Sequence, residues 1–533
     1  MRLFLLLLLL CIPSLSAAPA PKLIVYISVD QMRADYFERY GHLFTGGLRT
    51  LYRSGIVYTN ADLNYATSET GPGHASLGTG SYPSSSGIHA NDWIDPVTKK
   101  NVYCVEDSTA GPVDGLGGGF SPRNLVVPAI GDWLKDSPQG KGSKVVSISS
   151  KDRAAILMGG FRPDGAFWYS RKSGTMTSSD YYMKTLPEWA KSFNGSDWIE
   201  RNVPDVWERL LPATEYEKFG PDAFDAEQRW GDDTSFPHPF TKGKKHEQIM
   251  GSPFGDQLLM EFALAAVNGE KLGQRGPVDV LCVSFSNCDY VGHGFGPDSH
   301  ELLDLLIRLD RQLGVFFDEL DAKVGKGKYV VALSADHAVC PLPEFNTAYR
   351  TIPAKRYIYN DDIKPKMDSL SSLLKYELDT SEDVLIKNSF INYSLAVKDG
   401  WDTLALQREI AKGLLSIDAF VDVYFRHELI STTPSAKPYI QKYRNSYYAP
   451  RGEDFQYRIR ENCIISSRTF GTTHGSPYRY DTHVPLIFWW GGVKPQRIGR
   501  EVHSVDAAPT LARIAGFPIP ARLDGVPLKE VVK

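Results

Sequence analysis

The sequence predicts an α/β fold: a layered, mainly parallel sheet with helices on both faces, carrying cap insertions. Three observations lead there. Continuous apolar runs recur along the chain, "KLIVYISVD" (22–30), "VDVLCVSFSNCD" (278–289) and "YVVALSADH" (329–337), and each ends at an aspartate or one residue after it. Such runs suit strands covered on both faces, as in a parallel sheet between helices. Helical apolar spacing appears among them in "SHELLDLLIRLDRQLGVFFDEL" and "SVDAAPTLARIAG". The composition, 42% hydrophobic and 12% aromatic over 533 residues, is that of a packed globular chain large enough for one big domain with insertions.

In chain order, Met1-Arg2 gives a positive start, "LFLLLLLLCIPSL" an apolar run and "SAAPA" a small-residue cleavage region. This pattern predicts a secretory signal peptide over about residues 1–20, too short in its apolar part for the ~20 residues of a spanning helix. The mature chain, 21–533, is expected to be exported, periplasmic in a bacterium and extracellular otherwise. Five cysteines then remain, an odd number without a CxxC pair, so neither a disulfide scaffold nor a cysteine zinc site is expected, and at most one bridge. The net charge of −4 with dispersed basic residues excludes an evident nucleic-acid surface.

After the first strand comes "NYATSETGPGHASLGTG", where Thr70 stands at an expected helix start with Pro72 in the first turn. Residues 166–250, rich in Trp, Tyr and Pro without strand–helix alternation, read as one insertion. Residues 345–465 read as a second, with a strand-like "DVLIKNSFINYSLAV", a helix-like "TLALQREIAKGLLSI" and a strand "VDVYFR". Both are expected to build a cap over the sheet. "VPLIFWWGG" (484–492) supplies a fourth buried run.

Ligands in open α/β sheets bind beyond the carboxyl ends of the strands. Asp30, Asp289, Asp336 and His337 lie at such predicted ends, so one rim collects them. Asp289 and His293 are four apart in "CDYVGHGFGP", and His474 lies in "GTTHGSPYRYDTHVPL". An aspartate after a strand is often only a helix cap. Several carboxylates and imidazoles on one rim instead suit zinc, with three or four protein ligands per ion. Thr70, an ordinary hydroxyl in an otherwise turn-like "GPGH", gains a role only if those ligands activate it.

Taken together, "ISVDQMR", "TGPGH", "GIHANDW", "SKDRAA", "DYVGH", "SADH" and "HGSPYRYDTHVP" resemble, in order and over nearly the whole mature chain, the alkaline phosphatase superfamily. The resemblance is to its secreted, single-chain, phosphate-irrepressible alkaline phosphatases with a threonine nucleophile. It implies two Zn²⁺: one on the nucleophile side held by Asp30, Asp336, His337 and the Thr70 hydroxyl, the other on the leaving-group side held by Asp289, His293 and His474. His483 is a rival to His474, and His74 is expected to pack behind Thr70. The resemblance also places Asn91, Lys151 and Arg153 on the phosphoryl group. Two zinc ions would bring four positive charges, cancelled by the three aspartates and a Thr70 alkoxide. Lys151 and Arg153 then match a monoester dianion, with Arg153 able to hold two oxygens. The implied function is hydrolysis of small phosphate monoesters by a monomeric enzyme through a phosphothreonine. The alternatives are a nucleotide pyrophosphatase/phosphodiesterase with the same bimetal core, or a non-catalytic phosphate-binding protein. A sulfatase does not fit, since Thr70-Gly-Pro-Gly-His lacks its Cys/Ser-x-Pro-x-Arg pattern.

Overall fold

The computed structural model describes residues 20–532 except 114, 116–118 and 399–401. The expected signal peptide therefore lies, but for its last residue, outside the described residues. A nine-stranded sheet forms the centre: β1 (Leu23–Val29), β2 (Ile56–Tyr58), β3 (Val145–Ser149), β4 (Gly165–Ser170), β5 (Thr175–Thr177), β6 (Asp279–Phe285), β7 (Tyr329–Ser334), β8 (Leu486–Trp490) and β9 (Gln496–Ile498). Their spatial order is β9-β2-β8-β7-β1-β6-β3-β4-β5.

The strand β1 shows why the sheet is two-sided. Its seven residues are all buried; Leu23, Val25, Ile27 and Val29 enter one apolar core, and Ile24 and Tyr26 the other. Alternate side chains point to opposite faces, so a continuous apolar run needs a cover on each. Helices Phe254–Gly269 and His300–Leu320 cover the first face, and helix Ala507–Ala515 the second. Both helices foreseen from apolar spacing form. Ser299 caps the longer one by accepting from the Leu302 N–H at 3.2 Å, and Gly516, at φ 79°, closes the shorter one in the left-handed region that L-residues avoid.

Strands β7, β1, β6, β3 and β4 run parallel, so their carboxyl ends share a rim. The register aligns Val29 with Phe285, Ser28 with Ser334 and Ser284 with Ser149. Residues that follow these positions are thereby delivered to one place.

Three expectations need correction. The run 484–492 is a strand, but β8 is antiparallel to both β7 and β2, because a continuous apolar run reports burial and not direction. The first expected insertion, starting at 166, begins inside the sheet: β4 and the antiparallel β5 are its last two strands. Their aromatic residues hid the strand signal, and residues such as Trp198, Trp207 and Trp230 farther along join the main core instead of a separate one. In the second insertion, "DVLIKNSFINYSLAV" is not one strand. Leu385–Ile386 and Phe390–Ile391 pair as a short hairpin across Lys387 and Asn388, both at positive φ, and helix Tyr393–Lys398 follows. The remaining elements of that insertion, helix Thr403–Leu415 and strand Phe420–Phe425, form as expected and gather around their own apolar cluster.

Candidate metal centre and phosphate site

Asp30 follows β1 directly, and Asp336 and His337 come two and three residues after β7. Asp289 departs slightly from expectation: it lies in the first turn of helix Asn287–Phe295, with His293 one turn on, so both point from one helix face. His474 arrives from the segment after the second insertion. Asp289 Oδ1, His293 Nε2 and His474 Nε2 form a triangle with edges of 3.2, 3.2 and 3.6 Å. His337 Nε2 lies 3.6 Å from Asp30 Oδ1 and 3.3 Å from Asp336 Oδ2. A tetrahedral ion with ligands at about 2.0–2.1 Å spaces its donors by roughly 3.3–3.4 Å. The two groups adjoin: the His337 and His474 rings stack at 3.6 Å, and His337 also lies within 4.8 Å of the Asp289 and His474 donors.

The imidazole tautomers are fixed by what surrounds them. His293 Nδ1 meets the Thr472 carbonyl at 2.8 Å, His474 Nδ1 the Ser68 carbonyl at 2.6 Å and His337 Nδ1 the Ala338 carbonyl at 3.0 Å. A carbonyl only accepts, so each Nδ1 carries a proton and each ring turns its Nε2 toward the donor groups. The Nε2 atoms of His293 and His474 face each other at 3.2 Å. Asp30 Oδ1, Asp336 Oδ2 and His337 Nε2 are buried without a hydrogen-bond partner. Such an arrangement is costly unless a cation sits among the donors. These donors therefore fit divalent metal ions.

The electrostatics agree. Burial, followed by the neighbouring Asp336, pushes the Asp30 carboxyl well up. Burial would raise Asp289 too, but His293 and Lys151 hold it well below the usual carboxylate range. Burial pushes His337 down to about 3, which keeps it in the neutral, ligating form at neutral pH. One lysine faces three clustered carboxylates: Lys151 Nζ is 2.7 Å from Asp30 and 2.6 Å from Asp289.

Thr70 begins helix Thr70–Thr79, as expected, and is buried. Its Oγ receives Lys151 Nζ at 3.3 Å and Arg153 Nη2 at 3.4 Å. Gly73 explains part of the "TGPGH" spelling: a Cβ there would collide with the backbone of Asp336. Asn91 accepts from the Gly71 N–H through Oδ1 at 2.7 Å, which turns its amide nitrogen away from that contact. His74 sits behind Thr70, with Nδ1 2.9 Å from the Thr70 carbonyl and 3.2 Å from Asp336 Oδ2. His483 bonds the Thr59 carbonyl at 3.0 Å and belongs to neither donor group.

Sequence reasoning passed over Gln31. Its Nε2 donates to Asp289 Oδ1 at 2.7 Å and its backbone N–H to Asp336 Oδ1 at 3.2 Å, tying the two groups together from a left-handed conformation at φ 68°. An amide directly after a strand-end aspartate was the available signal. Tyr103 was also missed; its hydroxyl lies 3.4 Å from Arg153 Nη1 and donates to Asp152.

A model of the family described as Type I phosphodiesterase / nucleotide pyrophosphatase matches residues 24–412. The chain belongs to this family. The family lies within the alkaline phosphatase superfamily. Among relatives of the chain, the protein named Alkaline phosphatase PafA of Elizabethkingia meningoseptica is 33% identical, over 97% of this chain and 95% of its own length. Alkaline phosphatase PhoV of Synechococcus elongatus is 35% identical, over 96% and 93%. The crystal structure of wild-type PafA superposes with a TM-score of 0.88 at 32% identity, covering 97% of this chain and all of that one. The large mixed sheet with helices on both faces is thus the fold of this family member.

Proposed function

We propose that this protein is an exported, zinc-dependent alkaline phosphatase that hydrolyses phosphate monoesters through a phosphothreonine at Thr70. The observation that carries the reading is the convergence of Lys151 and Arg153 on one hydroxyl, Thr70 Oγ, beside two metal-fitting donor groups. Two family members named alkaline phosphatases, alike over nearly the full chain, support it.

Asp30, Asp336, His337 and Thr70 would hold one ion, and Asp289, His293 and His474 the other. Bound zinc would supply Lewis acidity, favouring the alkoxide of a coordinated hydroxyl and an ionised water near neutral pH. The chain's own groups do the positioning. The helix start at Thr70 brings a positive dipole end to an anion. Arg153 and Asn91 hold non-bridging oxygens, and Lys151 offsets charge between the carboxylates and the phosphoryl group. Thr70 Oγ gives its proton to solvent and attacks phosphorus, the ester P–O bond opposite it breaks, and the alcohol leaves with a proton taken from solvent. Water then attacks phosphorus, the P–O bond to Thr70 breaks, and the hydroxyl is restored with release of phosphate.

A diesterase shares the metal core, and the family description includes that activity. The two cations on Thr70 favour the dianionic monoester. The direct test is acid quenching during turnover, followed by mass spectrometry of the phosphorylated peptide. Phosphate is expected on Thr70; its appearance on Ser68 or Ser76 would overturn the assignment, as would a parent enzyme that prefers diesters.

A further inference from the structure

A cleft of about 760 Å³ opens against the Asp289–His293–His474 group, with His293 and Tyr290 in its wall. The His293 side chain is 32% exposed, so this donor group communicates with the cleft. Three arginines line the cleft, Arg171, Arg229 and Arg468, against one carboxylate, Glu247. All three are exposed, and among the described residues none of them makes an ion pair within 4.0 Å. They come from separate segments: the β4–β5 turn, the 228–231 stretch and the chain after the second insertion. Arg171 is tied to the catalytic rim through Tyr290, whose ring centroid lies 4.5 Å from the Arg171 guanidinium and 5.1 Å from Lys151 Nζ. Arg468 lies 5.7 Å from the ring centroid of Phe470. Arg229 instead donates to the Asp232 carbonyl at 2.7 Å.

An in-line displacement by Thr70 expels the ester oxygen on the side away from Thr70, which the reading above assigns to the Asp289–His293–His474 group. The rest of the departing alcohol then extends past His293 into the cleft. We propose that the cleft is the leaving-group subsite, and that it selects monoesters whose alcohol carries a second anionic group, a carboxylate or a further phosphate. This rests on the phosphatase reading. The volume accommodates an alcohol of sugar or nucleoside size. Unpaired guanidinium forks are suited to carboxylate or phosphate oxygens, and Arg171 and Arg468 approach from opposite chain segments.

The test compares 3-carboxyphenyl phosphate with 3-carbamoylphenyl phosphate, two esters of nearly equal shape that differ by one charge. The kcat/KM ratio, charged over neutral, is measured in the parent and in Arg171→Gln/Arg468→Gln. Intrinsic leaving-group differences cancel in that comparison. The ratio is expected to fall about tenfold in the variant at low salt, in keeping with two partly solvated charge contacts. Added sodium chloride of about 0.5 M should remove most of the difference between parent and variant, since exposed charges are screened. Glucose 1,6-bisphosphate against glucose 6-phosphate repeats the measurement with phosphate as the second anion. An unchanged ratio in both pairs would overturn the subsite while leaving the phosphatase reading intact. An equal loss on charged and neutral esters would show that the arginines serve the fold. No turnover of either ester by the parent would overturn the phosphatase reading, and this proposal with it.

Discussion

Arg153→Ala isolates the phosphate clamp. The structure makes it a cleaner perturbation than Lys151→Ala, because Lys151 contacts the carboxylates of both donor groups while, among the described residues, the Arg153 side chain hydrogen-bonds to Thr70 and Tyr103. Its Nη2 lies 3.4 Å from Thr70 Oγ, and its buried Nε has no partner, so the guanidinium has a donor to spare for a ligand oxygen. Charge-assisted hydrogen bonds contribute about 1.5–3 kcal/mol each. Two of them to a monoester dianion amount to about 3–6 kcal/mol, or roughly 10²–10⁴ in kcat/KM at 1.36 kcal/mol per decade. A diester has one charge fewer and one oxygen esterified, so it should lose about 10–100-fold on the same scale. The assay is kcat/KM for matched aryl monoester and diester in parent and variant, with zinc content measured in both. Equal losses on the two substrates, at unchanged metal content, would refute the reasoning. Lys151→Ala should instead lower activity while raising metal affinity, since a cation among the ligating carboxylates competes with the ions.

Chelation should abolish activity and added zinc restore it, since the converging imidazole Nε2 atoms and the buried carboxylate oxygens without hydrogen-bond partners call for a cation among them; full turnover by demetallated protein would sink the mechanism. Gln31→Ala should weaken metal binding about 10–100-fold, the usual effect of losing a group that orients ligands, with Gln31→Asn unable to rescue it because the shorter side chain cannot span from Asp289. A competitive metal titration reads this directly. Stability should depend on pH through Asp256, whose carboxyl burial pushes up to about 8, with Oδ2 unpartnered. Its folded value exceeds the unfolded one of about 3.9, so its favourable contribution is complete below about pH 4 and is lost as pH rises through 8. Asp256→Asn should therefore gain stability over the parent near pH 9, by a few kcal/mol at most, and show little or no gain below about pH 4. Thermal melts across that range check it, and a gain independent of pH would refute the assignment.

Separate packing clusters also explain why parts of the chain were easier to read than others. The second insertion gathers its buried residues around its own centre, from Tyr357 through Leu406 and Ile410 to Cys463, and its break in pattern is visible in the sequence. The first stretch shares its core with the sheet, so its aromatics carried no boundary. All five cysteines among the described residues are buried and unpaired.

The sequence by itself determined four of the sheet's strands, β1, β6, β7 and β8, the two long-pattern helices and which side chains the rim would collect. Period and apolarity encode burial, and a strand's carboxyl end fixes where the next residue emerges; hence Asp30, Asp336 and His337 were legible from "ISVD" and "SADH". Only the tertiary structure decided the rest. Strand direction depends on what connects β8 to β7 and β2, not on the run "LIFWW" itself. The burial of Thr70 follows from the elements that close over it. The tautomers of His293, His337 and His474 depend on carbonyls at Thr472, Ala338 and Ser68, two of them far along the chain from the ring they orient. Gln31 reaches Asp289 across 258 positions. Local pattern carries no information about such partners, because hydrogen bonds and charge contacts are set by distance in space.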